Sequence, residues 1–126
     1  MMQENGTGSP ADEVFGVGVD VPEGFLEELM DAIDAVMDPV YPGYRRSFRY
    51  YPVTGTWKTM EGSHPYIGSP GEVSAEKEVR LEFVVLKKDL PAVMEAIDRV
   101  HPYEEPAVDV YREVPWRSLI PSSRSR

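Results

Sequence analysis

Cysteine is absent from this 126-residue chain, which excludes disulfides, thiolate metal centres and a cysteine nucleophile. Histidine is scarce, with only His64 and His101. Positive charge is also in short supply: 13 Lys and Arg stand against 22 Asp and Glu, for a formal net charge of −9. So acidic a chain is poorly matched to a phosphate backbone, and nucleic acid is not expected as a partner. No apolar run approaches the roughly 18 residues of a membrane-spanning helix. Met1-Met2-Gln3-Glu4-Asn5-Gly6 lacks the basic and apolar regions of a secretory leader. These absences lead to the expectation of a soluble cytoplasmic protein with no membrane partner. No phosphate loop, zinc-protease motif or serine-histidine-acid motif occurs, so an enzyme is not supported.

What remains is one domain's worth of chain, 41% hydrophobic, enough to bury a core without staples. Residues 1–12 are polar and rich in Gly, Ser and Pro and are expected to form a tail. Phe15, Val17, Val19 and Val21 alternate on one face, which predicts a strand over Val14–Val21. Gly16-Val17-Gly18 resembles the start of a dinucleotide fingerprint, but the third glycine is missing and the pair lies inside the strand. Pro22 opens a helix in which Phe25, Leu29, Ile33, Val36 and Met37 recur at helical spacing, and Asp38-Pro39 ends it. Tyr44–Val53 reads as a strand, Thr54-Gly55 as a turn and Thr56–Met60 as a return strand. The Gly- and Pro-dense segment from Glu61 to Gly71 is a loop. Glu78–Lys88 carries Val79, Leu81, Phe83 and Val85 on one face of a strand. Asp89 is the expected N-cap of a second amphipathic helix, with Leu90, Val93, Met94, Ile97 and Val100 as its buried stripe. A last strand covers Ala107–Val114, and residues 117–126 form a C-terminal tail.

The order β-α-β-(β)-β-α-β predicts an α+β, ferredoxin-like βαββαβ domain over residues 13–116, an antiparallel sheet with both helices on one face. The segment from residue 44 to 77 is too long for a simple connection, and predicts a hairpin arm that covers a sheet edge or reaches a neighbouring subunit.

Three stretches carry a resemblance: Gly55-Thr56-Trp57-Lys58, Glu61-Gly62-Ser63-His64-Pro65-Tyr66-Ile67-Gly68 and His101-Pro102-Tyr103-Glu104-Glu105-Pro106-Ala107. In this order and spacing the chain resembles, over roughly residues 14–114, the PII/CutA-like domain of the Nif-three-like (YqfO-like) family in its standalone short form. The turn at His101–Pro106 is the most specific element. The resemblance implies a trimer formed through sheet edges and hairpin arms, and a family whose biochemical role is poorly defined. Larger relatives carry a di-metal site outside this domain. Short relatives have an Asn-Tyr-Asp-His-Cys-like run where this chain has Tyr44-Arg45-Arg46-Ser47-Phe48, so ligands on that arm are missing here.

Two readings of the turn stay open. Pro102 steers His101 out of helical geometry, and Pro102 and Pro106 bracket Tyr103, Glu104 and Glu105. An imidazole with two carboxylates suits a divalent zinc or copper ion; a helix stop with solvated charges is the plainer alternative. His64 is a second candidate ligand if its loop folds back. Arg45, Arg46 and Arg49, with Lys58 on the return strand, are a candidate site for a small anion, as between subunits of PII-like trimers. The expected function is a non-enzymatic, homo-oligomeric regulatory or binding module that senses a small ligand or divalent metal in an intersubunit cleft. The alternatives are a pure assembly or adaptor domain, or a metal-dependent hydrolase or enzyme accessory by analogy with the larger relatives.

Overall fold

A computed structural model describes residues 13–122. The expected N-terminal tail, and residues 123–126 of the C-terminal one, lie outside them. Four strands, β1 (Val14–Val21), β2 (Arg49–Lys58), β3 (Val73–Leu86) and β4 (Val108–Arg112), form one sheet in the order β2-β3-β1-β4. Every neighbouring pair is antiparallel. Two helices, α1 (Leu26–Asp34) and α2 (Leu90–Val100), complete the ferredoxin-like βαββαβ order.

The core follows from period two meeting period 3.6. Val17, Val19 and Val21 of β1 and Leu81, Phe83 and Val85 of β3 turn the same way and pack with Leu29 and Ile33 of α1 and Val93 and Ile97 of α2. Both helices therefore cover one face of the sheet. Burying a side chain of this size contributes about 1.5–3 kcal/mol, so this cluster outweighs any surface ion pair. On the opposite face Gly16 and Gly18 leave room for other side chains. A Cβ on Gly18 would lie 2.2 Å from Arg80 Nη2, and one on Gly16 would lie 2.3 Å from the Tyr111 ring. The glycine pair admits protein, with no fingerprint loop around it.

Several boundaries differ from expectation. Pro22 leads into a 3₁₀ turn, Glu23–Phe25, and the α-helix proper starts at Leu26 and stops at Asp34, short of Asp38. Arg45 explains that early stop, since its guanidinium takes the free carbonyls of Asp34 (2.8 Å) and Met37 (3.2 Å). Val36 and Met37 still pack against the core. Asp89 does not cap α2 with its side chain; its carboxylate accepts from the Asp38 amide at 2.9 Å, tying the segment after α1 to the start of α2.

The arm is the largest correction. Residues 44–48 are not strand, because Arg46 takes a φ of 56° that breaks extended geometry. Thr54-Gly55 is not a turn. Thr54 pairs with Lys77 and Gly55 with Glu76 inside a ladder that runs unbroken from Arg49↔Glu82 to Lys58↔Val73. Gly55 is there to admit a neighbour: its Cβ would meet Glu78 Oε1 at 2.4 Å. Pro52 is tolerated because β2 is an edge strand. The reversal occurs instead over residues 59–72, closed by Gly71 N–H to Thr59 O (2.8 Å) and Thr59 N–H to Glu72 O (3.2 Å). Val53–Lys58 and Val73–Glu78 pair only with each other, beyond the end of β1, and form the extended arm.

Candidate functional site

The turn after α2 is fixed by His101. Its amide closes the last helical turn on Ile97 O (2.9 Å), and ψ of 130° then carries the chain out of the helix before Pro102. The imidazole is 6% exposed. Nε2 lies 2.6 Å from the main-chain oxygen of Asp20, and Nδ1 accepts the amide of Tyr103 at 3.2 Å. That pair of partners assigns the proton to Nε2 and leaves neither nitrogen free. Burial holds the His101 pKa below the ordinary imidazole value, offset in part by the Asp20 carbonyl and Glu78.

Tyr103 continues inward. Its hydroxyl donates to Glu78 Oε2 at 2.6 Å. Glu78, 5% exposed, sits over Gly55 with no salt-bridge partner among the described residues. Burial, and then the bond to Glu78, push the Tyr103 phenol above its ordinary pKa. The Tyr103 ring lies 5.0 Å from the His101 ring, 5.4 Å from Trp57 and 6.0 Å from Tyr66, and Tyr66 meets Phe25 edge-on at 6.0 Å. The arm loop is pinned to the turn by the His64 amide, which donates to Glu104 Oε1 at 2.9 Å.

Between loop and turn lies an open cavity of about 210 Å³, lined by Trp57, Tyr66 and Tyr103 together with Lys58, Thr59, Glu104 and Glu105. Thr59 is 4% exposed, and its hydroxyl has no hydrogen-bond partner among the described residues. Gly68, at φ 108°, lies against that hydroxyl; a Cβ there would be 2.8 Å from Thr59 Oγ1 and 2.9 Å from Ser74 Oγ.

The candidates from the sequence are thus divided. His64 and Glu104 come together through a main-chain bond, and Glu104 and Glu105 stand at the cavity. His101 lies beneath them as a structural tie. No group of three His, Asp or Glu side chains placed to hold a metal ion occurs among the described residues. The basic residues do not converge. Arg45 caps α1 and pairs with Asp34 (3.4 Å), and Arg46 pairs with Asp31 (3.0 Å), Glu27 (3.6 Å) and Asp34 (3.8 Å) on the acidic face of α1. Arg49 begins β2, 82% exposed and 3.8 Å from Glu82. Lys58 ends that strand, about 30 Å away at ~3.3 Å per residue. Sequence reasoning missed Glu78, Thr59 and the inward role of Tyr103. The three resemblance stretches supply most of the wall, with Trp57 and Lys58 from the first, Ser63, Pro65, Tyr66 and Ile67 from the second, and Tyr103, Glu104 and Glu105 from the third.

No family model matches the chain. A GTP cyclohydrolase 1 type 2 homolog of Bacillus subtilis (strain 168) is 46% identical over 57 residues, 45% of this chain and 15% of the relative. Its counterpart in Halalkalibacterium halodurans is 41% identical over 58 residues, 46% of this chain and 16% of the relative. The chain spans about a sixth of the curated relatives it matches. Among solved structures, a Bacillus cereus protein related to NIF3 superposes with a TM-score of 0.71 at 29% identity, covering 87% of this chain and 28% of that one. CutA from Synechococcus elongatus PCC7942 gives 0.60 at 16% identity, covering 82% and 79%. The GlnK–ATP complex of B. subtilis gives 0.58 at 17%, covering 82% and 84%. The last two speak for the fold alone. Together with the NIF3-related match, they show that this chain has a ferredoxin-like fold of the PII/CutA type, similar to part of a NIF3-related protein.

Proposed function

We propose that the domain is a non-enzymatic, cytoplasmic, homo-oligomeric binding module, a trimer that takes a small ligand between the arm loop and the turn at residues 101–106. The cavity of about 210 Å³ carries this reading. It is walled by the two most distinctive stretches of the sequence, the arm loop and the turn at residues 101–106. Assembly is supported by the sheet, since β2 and β4 each have a strand on one side only. Tyr50 and Tyr51 on β2, and Val110, Tyr111, Val114 and Trp116 on and after β4, are exposed along those edges. A partner strand added there would bring a second chain close to the arm.

Zinc or copper is a less suitable ligand within one chain. CutA relatives in Ehrlichia chaffeensis and Archaeoglobus fulgidus are described as divalent ion or cation tolerance proteins. Here both His101 nitrogens are engaged, so a metal would have to draw on His64, Glu104 and Glu105 with groups from another subunit. Anion binding at Arg45 and Arg46 would have to displace their carboxylate partners on α1.

The test is mass in solution with a thermal-shift screen of nucleotides, divalent metals and small polar molecules. A particle of three 14.2-kDa chains and a ligand that raises the melting temperature by binding the native state are expected. A monomer at micromolar concentration overturns the assembly reading. A trimer that no compound stabilises would make the module an assembly or adaptor domain.

A further inference from the structure

We propose that residues 102–106 form a flap beside the cavity, hinged on Asp20 and released when His101 takes up a proton. Such a flap regulates the binding site proposed above and rests on that reading only for what it controls; its movement is seen without a ligand.

The hinge is a single residue of β1. The main-chain oxygen of Asp20 accepts from His101 Nε2 at 2.6 Å, and the Asp20 amide donates to Ala107 O at 3.1 Å. Both ends of the turn are thus fastened to one point of the sheet. Between them, Pro102 and Pro106 have no amide hydrogen to give, and residues 102–106 make no main-chain-to-main-chain hydrogen bond among the described residues. The backbone of the flap is held at one place, where the Tyr103 amide donates to His101 Nδ1 at 3.2 Å. Its other ties run through side chains, from the Tyr103 hydroxyl to Glu78 and from the His64 amide to Glu104.

The imidazole is the latch. Neutral, it gives to Asp20 and receives from Tyr103. A proton taken from water at Nδ1 makes an imidazolium, in which both nitrogens donate. The bond to Asp20 survives, but the Tyr103 amide then faces a donor. Turning the ring over changes nothing, since either nitrogen now carries hydrogen. The amide has to move, and with it moves Tyr103, whose ring lies against Trp57 and Tyr66 at the cavity.

The surroundings decide how the proton acts. From β1, Asp20 presents its carbonyl while Arg80 holds its carboxylate at 3.1 Å. From β3, Glu78 acts on the ring from behind Tyr103. The last turn of α2 carries Asp98 and Arg99, and the flap Glu104 and Glu105, all four exposed. Asp20 and Glu78 favour the proton, and burial opposes it more strongly. Opening the flap lets water reach the ring and removes that opposition, so the open form binds the proton more tightly and acid draws the flap open. Residues 102–106 are absent from the hydrophobic core, so they can open while the core stays folded.

The chain has two histidines, so both ring signals can be followed by NMR in the full chain between pH 7.5 and pH 5.0, with amide hydrogen exchange measured at each end. As the His101 ring takes its proton, the signals of Tyr103, Glu104 and the Trp57 indole should move together to a second state. Protection of the Tyr103 amide should fall about tenfold, the equivalent of one pKa unit of linkage, while Val17, Leu81 and Val93 keep theirs. His101→Gln, which cannot gain the charge, should lose the transition, and Glu78→Gln should keep it. A His101 ring that protonates with Tyr103 still protected overturns the proposal, as does a ring still neutral at pH 5.0 or a loss of protection that reaches flap and core together. These three outcomes are read in wild type, so they decide the matter even if His101→Gln does not fold. A transition that survives in His101→Gln and is lost in Glu78→Gln also overturns it, by making the carboxylate the sensor. If the flap opens in a protein that is monomeric and takes no compound, the binding module falls and the flap stands. If a compound binds equally well across the transition, the module stands and the regulation falls.

Discussion

His101 Nε2 donates to the carbonyl oxygen of Asp20, 2.6 Å away and 81 residues earlier in the chain, so the end of α2 is fastened to the end of β1 by a neutral ring. The other nitrogen accepts the Tyr103 amide. Protonation would place a second N–H against that amide, donor facing donor. Burial lowers the His101 pKa in the folded state, so the folded protein resists a proton that the unfolded chain takes at about 6.5. The contribution of the neutral ring is therefore complete above about pH 6.5 and is lost as pH falls from there through the folded pKa. Urea unfolding at pH 7.5 and pH 5.0 should show wild type losing more stability than His101→Gln. Equal losses in the two proteins would mean that the ring takes its proton as readily in the fold as in the unfolded chain.

Tyr103 and Glu78 form the next link. The phenol is the only hydrogen-bond donor recorded for the Glu78 carboxylate among the described residues. Tyr103→Phe keeps the ring against Trp57 and Tyr66 but leaves a buried acceptor open. It should cost about 1–3 kcal/mol in denaturant unfolding at pH 7, and Glu78→Gln in the same background should not add a second loss of that size. Additive losses would show that Glu78 is held by something other than Tyr103.

The contrast between the body and the arm shows what a single sequence makes legible. Val17, Val19 and Val21, Leu81, Phe83 and Val85, and the stripes of α1 and α2 are periodic, and period alone placed them on the buried face. Gly55 misled because a glycine after a threonine reads as a turn, whereas here it makes room for a carboxylate 23 positions later in the chain. No local pattern encodes that approach. The same holds at the site. His101-Pro102 announces a helix stop through the backbone rule for residues before proline, and the helix ends there. That both imidazole nitrogens are consumed depends on Asp20 and Tyr103, one of them on a distant strand. Arg45 and Arg46 looked available because the acidic residues they meet, Glu27, Asp31 and Asp34, lie on α1, and no local pattern shows that the segment after the helix folds back along it.

Gly18 and Arg80 give a prediction with an internal control. Arg80 lies across Gly18 and reaches Asp20 at 3.1 Å and Asp109 at 2.7 Å, joining β3, β1 and β4 on the face away from the helices. Gly18→Ala forces the guanidinium off both partners and should destabilise by about 1–3 kcal/mol. In an Arg80→Ala background the atoms nearest that Cβ are gone, and the same substitution relieves the entropic cost of a strand glycine, so it should be neutral or stabilising. An equal cost in both backgrounds would place the clash elsewhere on β1.

Thr59 should behave unusually for a buried polar residue. Its main chain is anchored through Glu72 and Gly71, so the loop does not depend on the hydroxyl. The hydroxyl itself is buried without a hydrogen-bond partner among the described residues, a state that costs about 1–3 kcal/mol relative to an apolar group of the same shape. Valine keeps the branched outline against Gly68 and Ser74 and removes that cost. Thr59→Val should therefore raise the melting temperature of the free protein, by about 4 °C or more for each kcal/mol recovered in a domain of this size. An unchanged or lowered melting temperature would show instead that the hydroxyl is already satisfied in the free protein.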